Sequence, residues 1–404
     1  RGLGDVYKIQ LQIHPEKVRF FYKILYKRIL IMNSVPTNNM DVKKQNRINT
    51  FRCLLKYDRI SQPELAQKLN LSWPTVLQNV KELINLGLVH EVGAYKSTGG
   101  RKAKAYASIP DAKLAIGVDI TKNHIGFTLV DLSGMVIRYT RKTRAFSSEE
   151  NYFKNLGDLM NSFLKDDEFD RIIGVGISIP GIISDDGKRI IFSHALDIYD
   201  FSTERFVEFI SYPCLFINDA NAAGFAEMWD KSDIDNLIYL SLSNTVGGAI
   251  IFSGKLFWGN NLRAGEFGHN TLVPNGKQCY CGKKGCLDAY ISAKVLSEQA
   301  DGNLAMFFEK LRCGNAEAEK VWDDYLKYLA IAINNLRMTF DCDIIAGGYV
   351  GAFLEEFARE LKNYVAERNT FESNADFLKY CTFKLEASAV GAALMKIDSF
   401  LQEI

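Results

Sequence analysis

The chain has 404 residues, 47% of them hydrophobic and 24% charged, with a net charge of +1. That balance excludes a collagenous, low-complexity or wholly disordered chain, and the length suffices for two or three domains with full cores. The near-neutral total hides a division: residues 1–110 carry 19 Lys and Arg against 7 Asp and Glu, whereas residues 111–404 carry 30 against 41. A compact basic block points to a polyanionic partner.

The segment Val18 to Met32, VRFFYKILYKRILIM, is apolar but broken by Arg19, Lys23, Lys27 and Arg28, too many charges for a membrane span. It reads as an amphipathic helix or a peripheral anchor, and residues 1–41 are expected to be an N-terminal extension, disordered or an extra helix. Five of the eight cysteines are scattered, and no charged, apolar and small-residue leader pattern precedes them. This reads as a protein of the reducing cytoplasm without a disulfide framework.

Residues 42–110 read as three helices and a hairpin. Ile48, Phe51, Leu54 and Leu55 recur at helical spacing in the first helix. The second carries complete start signals: Ser61 as N-cap, Glu64 closing a capping box, and Ile60 opposite Leu65 as a hydrophobic staple. Ser72 repeats the cap before a third helix, where Pro74 falls within the first turn. Val76, Val80, Leu83 and Ile84 are expected inside that helix; Thr75, Gln78, Lys81 and Glu82 face outward, with Asn79 at the margin. Two short helices and a tight turn, followed by alternating residues that read as a two-stranded wing, predict a winged helix-turn-helix reading operator DNA. Thr75, Gln78 and Asn79 are the expected base-edge contacts, with Lys81 beside them. At the wing tip STGGRKAK, Gly99 and Gly100 allow close approach to phosphate, and Arg101, Lys102 and Lys104 supply charge. Arg101 also suits a narrow minor groove.

From Leu114 onward, buried apolar runs end in glycine or acid: LAIGVDI, HIGFTLVDLSG, IIGVGISIPG, CLFINDANAAG and NLIYLSLSNTVGGAIIFSG. Interleaved with helical segments, they predict an α/β fold with a largely buried sheet, and a second strand-rich region suggests duplication. GVGISIPGIISDDG, FINDANAAGFAE, GGAIIFSGKLFWGNNLRAGEFGHNTLV, CYCGKKGCLDAYIS and DIIAGGYVGAF resemble, in order and spacing, the ROK family of sugar kinases and sugar-responsive repressors. The N-terminal winged helix resembles its NagC/XylR-type repressor branch. The resemblance implies a two-lobed, actin-like (ribonuclease H-like) sugar kinase fold over residues 111–404. Its first lobe would span about 111–228 plus a C-terminal helix at about 387–404, and its second about 229–386. It further implies a homodimer or tetramer with the ligand in the cleft.

His269 stands ten positions before Cys279, and Cys281 and Cys286 complete three thiolates and one imidazole, the soft donor set of a tetrahedral structural Zn²⁺. The bland alternative is a loop of free thiols. By resemblance, His269 also faces the sugar and Glu266 accepts from its hydroxyls. Asn218 is a further expected hydroxyl contact, Gly181 lines the cleft, and Asp219 occupies the base position of the kinases. Asp288 stands where the family usually has glutamate, one methylene shorter. Without the resemblance, Asn218 and Asp219 read first as a strand-end helix cap.

A kinase cradles ATP phosphates with glycine-rich turns. The family's DxGGT-type motif is DITKNH here, Asp119 to His124, and its GTG loop is SNTVGG, Ser243 to Gly248. Side chains in these cradles favour a sugar or sugar-phosphate sensor over a kinase with an accessory DNA-binding domain. A regulator controlled by a protein partner is the third reading.

Overall fold

The computed structural model describes residues 39–94, 104–229, 231 and 234–404. Arg101, Lys102 and nearly all of the expected 1–41 extension lie outside the described residues.

The basic block folds as α1 (Asn39–Leu55), β1 (Ile60–Ser61), α2 (Gln62–Leu69), α3 (Trp73–Asn85), β2 (Val89–Ala94) and β3 (Lys104–Ser108). Local chemistry sets the helix starts. Ser61 Oγ accepts from Glu64 N–H at 3.4 Å while the Glu64 carboxylate accepts from Ser61 N–H at 2.8 Å, satisfying two donors that the helix itself cannot. Asn70, left-handed at φ 51°, ends α2, and Ser72 caps α3. The strands form a sheet in the order β1-β3-β2, so the wing has a third, two-residue strand where two were expected. Ile48, Phe51, Leu54, Leu65, Val76, Val80 and Leu83 close the core. Ile84, expected inside, is 38% exposed, because the inward phase of α3 runs through Val76, Asn79, Val80 and Leu83 and leaves Ile84 past its edge.

Two five-stranded sheets follow. The first, in the order β11-β7-β4-β5-β6, comprises β4 (Leu114–Ile120), β5 (His124–Asp131), β6 (Val136–Thr143), β7 (Ile172–Ile179) and β11 (Cys214–Asn218). The second, β14-β13-β12-β15-β16, comprises β12 (Leu237–Leu242), β13 (Val246–Phe252), β14 (Lys255–Leu256), β15 (Asp343–Gly347) and β16 (Leu378–Tyr380). Each is an antiparallel meander of three strands extended by two parallel ones, β4-β5-β6 with β7 and β11 in one, β12-β13-β14 with β15 and β16 in the other. The repetition of order and sense is the signature of a duplicated, two-lobed fold. A small sheet of β8 (Ile182–Ile183), β9 (Arg189–Ser193) and β10 (Ile198–Ser202) overhangs the first lobe. Helix α4 (Glu150–Phe163) covers that lobe's sheet; α6 (Ala316–Phe340) and α7 (Gly348–Leu354) belong to the second.

Between the sheets lie α5 (Asp219–Met228) and α8 (Ala387–Leu401), packed on each other, with α8 against β4 and β7 and α5 against β12 and β13. Glycine permits the approach. A Cβ on Gly117 of β4 would lie 1.8 Å from Ala389 O, one on Gly176 of β7 1.9 Å from Ala392 O, and one on Gly391 of α8 1.7 Å from Ala222 O. The outer end of α8 continues into the DNA-binding domain: Val390, Leu394, Ile397 and Leu401 share one buried cluster with Ile48, Phe51, Leu83 and Leu88. Arg52 of α1 pairs with Asp398 of α8 at 2.5 Å. Among the described residues no helix is long and apolar enough to cross a membrane.

Candidate ligand, metal and DNA sites

The end of β11 places Asn218 and Asp219 at the floor of the cleft, and the strand-to-helix turn explains their geometry. Asn218 caps α5, its Oδ1 accepting from Asn221 N–H at 3.0 Å. Its amide donates to Gly181 O and to Asp219 Oδ1, each at 3.1 Å, which leaves the Asp219 carboxylate oriented by Asn218 and by Ala220 N–H at 2.9 Å. Cap and ligand position are thus compatible in one residue. Gly181 has φ +133° and sits 2.4 Å, from its would-be Cβ, off Phe192 O, so a side chain there is excluded twice over.

Gly181, Asn218, Asp219, Glu266 and His269 line one cavity of about 1520 Å³ between the lobes. Desolvation in the cleft pushes the Asp219 carboxyl up to about 6, helped by the nearby charge of Glu266. Glu266 is itself raised by desolvation, opposed by His269, Arg263 and His194. Several carboxyl and amide groups converging on one space suit a polyhydroxylated ligand. Asp288, also expected on the ligand, is not among the residues that line this cavity. Its carboxylate accepts from Val246 N–H at 2.6 Å, and the residue is buried.

Two residues outside the expected set complete the mouth. His194, between β9 and β10 of the first lobe, meets Tyr280 of the second edge-on, with ring centroids 5.1 Å apart, and both line the cavity. Tyr280 lies inside the CYC spacing and was visible there; a turn histidine such as His194 carries no sequence signal.

The donor atoms of His269, Cys279, Cys281 and Cys286 all lie within 4.8 Å of one another. His269 Nδ1 is buried without a hydrogen-bond partner, and Nε2 lies 3.3 Å from Tyr280 Oη. An orphaned imidazole nitrogen beside three thiols is costly unless something takes its lone pair, so the residues fit a metal ion.

On the other side of the cleft, Asp119 of β4 is buried and accepts from Ser178 Oγ at 3.0 Å; burial first, then the charge of Asp219, pushes it up to about 7. Thr121 and His124 close a tight turn on each other, Thr121 N–H donating to His124 O at 3.0 Å. Arg141 of β6 reaches across to the second lobe, donating to Tyr349 Oη at 3.0 Å. Gly248 is explained by packing alone, since a Cβ there would lie 2.5 Å from Phe267 and from Tyr239 O.

In the DNA-binding domain, Lys81 and Gln78 are exposed on α3 and Thr75 is half-buried. Asn79 corrects the expectation: it is 5% exposed, and its amide donates to Thr50 Oγ1 of α1 at 2.9 Å. It faces the core, where α1 offers a hydroxyl that satisfies it. Lys104 pairs with Glu91 across β2 and β3 at 2.6 Å.

A family model described as the ROK family matches residues 115–399, and one described as winged helix-turn-helix DNA-binding matches residues 44–90. The chain belongs to the ROK family. Among its relatives is the xylose repressor of Bacillus spizizenii, 31% identical over 310 residues that cover 74% of this chain and 80% of the relative. Among solved structures, a ROK family transcriptional regulator described as a homologue of the Escherichia coli MLC protein superposes with TM-score 0.72 at 20% identity, covering 90% of this chain and all of that one. A ROK glucokinase from Streptomyces griseus, solved with glucose and AMPPNP, superposes with TM-score 0.60 at 24% identity over 70% of this chain and 98% of that one. These likenesses establish the two-lobed, actin-like sugar kinase fold behind a winged helix.

Proposed function

We propose that this ROK protein is a sugar-responsive DNA-binding regulator, a repressor that a sugar or sugar phosphate releases from its operator. The observation that carries it is α8. One end of this helix holds the ligand floor, Ser388 Oγ donating to Asp219 O at 3.1 Å, and the other end forms part of the winged-helix core. A ligand that favours one lobe angle therefore acts on the element that seats the DNA-binding domain. Two winged helices of a dimer or tetramer would span half-sites about one helical turn, or a multiple of it, apart only at one of those angles. Names of relatives such as the xylose repressor support the same reading.

The metal is zinc in this reading, held by His269, Cys279, Cys281 and Cys286. Its contribution is positional: closing the loop fixes the imidazole of His269 and the segment bearing Glu266. Phosphoryl transfer is not part of the function we infer. Asp219 has the location and the raised pKa of a base, but Arg141 and Tyr349 meet across the cleft beside a turn in which Thr121 and Lys122 stand where the DxGGT-type motif has its two glycines.

The test is DNA affinity of the metal-replete chain, by fluorescence anisotropy on duplexes enriched from a random library, with a panel of pentoses, hexoses, amino sugars and their phosphates. One class should weaken binding about 5- to 150-fold, a coupling of about 1–3 kcal/mol. Constant affinity in the presence of a sugar whose binding calorimetry verifies would refute the coupling. Metal analysis should give one zinc per chain, and ATP with any panel sugar should give no turnover.

A further inference from the structure

Helix α3 leaves few of its polar groups free for a base edge. Asn79 points into the core, Thr75 Oγ1 is bonded to Ser72 Oγ at 2.8 Å, and the Gln78 amide donates to Glu82 at 3.0 Å. Glu82 in turn takes the Arg47 guanidinium. What the first turn does present is Trp73, 54% exposed, directly after the Ser72 cap and followed by the exposed Pro74. The indole is not part of the buried cluster from Ile48 to Leu83 that closes the domain. Its backbone is tied down, because Gln62 of α2 donates to Trp73 O at 3.4 Å. A large ring on the first turn of α3, left in water, is available to a partner that docks on that turn.

The N-terminal residues of the second helix in a helix-turn-helix face base edges in the major groove, and the apolar feature on those edges is the thymine C5-methyl. We infer that Trp73 is a sequence-reading residue that packs its indole on a thymine methyl in each operator half-site, and that this contact takes the place of an amide–adenine pair from Asn79. Being uncharged, Trp73 releases no counterions, so its contribution is independent of salt, whereas that of Lys81 is not.

The experiment uses the full, metal-replete chain and a duplex enriched from a random library. Each thymine is replaced in turn by deoxyuridine, which removes only the methyl. Wild type should lose about fourfold in affinity at one position of each half-site, the effect of leaving one methyl-sized group unburied. In Trp73→Ala that uracil effect should vanish while the salt slope stays at the wild-type value; Trp73→Phe should keep part of it. Lys81→Ala should instead flatten the slope and keep the uracil effect. The inference is overturned if wild type is indifferent to uracil at every position, if the effect persists in Trp73→Ala, or if Trp73→Ala weakens binding equally on every duplex. The uracil scan on wild type needs no variant, so a misfolded substitution leaves the inference falsifiable.

Discussion

Gly391→Ala probes how closely α8 is held. In an unobstructed helix interior the change would stabilise by about 0.5–1 kcal/mol, because alanine loses less backbone freedom on folding. Here the new methyl would lie 1.7 Å from Ala222 O and 2.3 Å from Ala222 C, both main-chain atoms of α5 that no rotamer change can move. Overpacking costs about 1–3 kcal/mol in general, and an obstacle of backbone puts this case at the upper end. A net loss of about 2–3 kcal/mol lowers the melting temperature by roughly 2–4 °C for a chain of this size. Gly126→Ala in β5 is the control, since its nearest non-local neighbours stand at 3.6 Å, ordinary contact distance. Thermal unfolding of the metal-replete proteins by circular dichroism reads the difference, and DNA affinity should fall with stability in Gly391→Ala alone. A Gly391→Ala protein as stable as wild type, or more stable, would refute the close contact of α5 and α8.

Two further outcomes follow from named groups. Burial holds the Asp119 carboxyl at about 7 in the native state, while an unfolded aspartate titrates near 3.8. The native chain therefore binds more protons between about pH 4 and 7, and stability falls as pH rises through that window; denaturant unfolding at several pH values should show a flatter profile for Asp119→Asn, and an unchanged profile would assign the slope elsewhere. Arg101→Ala should weaken DNA binding on all sequences and reduce the salt slope by about one, measured by anisotropy from low to moderate salt; an unaltered slope removes the wing tip from the phosphate contacts.

What could be read from sequence was what depends on near neighbours. Ser61 with Glu64, and Ser72 before α3, announced their helices because an N-cap and its partner are three residues apart. LAIGVDI announced a strand buried on both faces because six of its seven residues are apolar or glycine, Asp119 being the exception, and all seven are buried. Asn79 was misplaced because the hydroxyl that accommodates it, on Thr50, is 29 residues away. The contact of Asp288 with the backbone had no local signal, because Val246, whose N–H it accepts, lies 42 residues earlier. The contact of Arg141 with Tyr349 spans 208 residues and joins the lobes, so periodicity has no access to it. The cysteine loop is the instructive exception: its three thiols are close in sequence, and only His269 had to be added from ten positions earlier.

The shared cluster at the outer end of α8 bears on how such proteins can be recombined. An engineer who grafts residues 42–110 of one relative onto the ligand-binding portion of another would cut through a single apolar core, leaving Ile48, Phe51 and Leu83 against a foreign Ile397 and Leu401. A working chimera must carry the last turns of the chain along with the first hundred residues, although they are about three hundred positions apart.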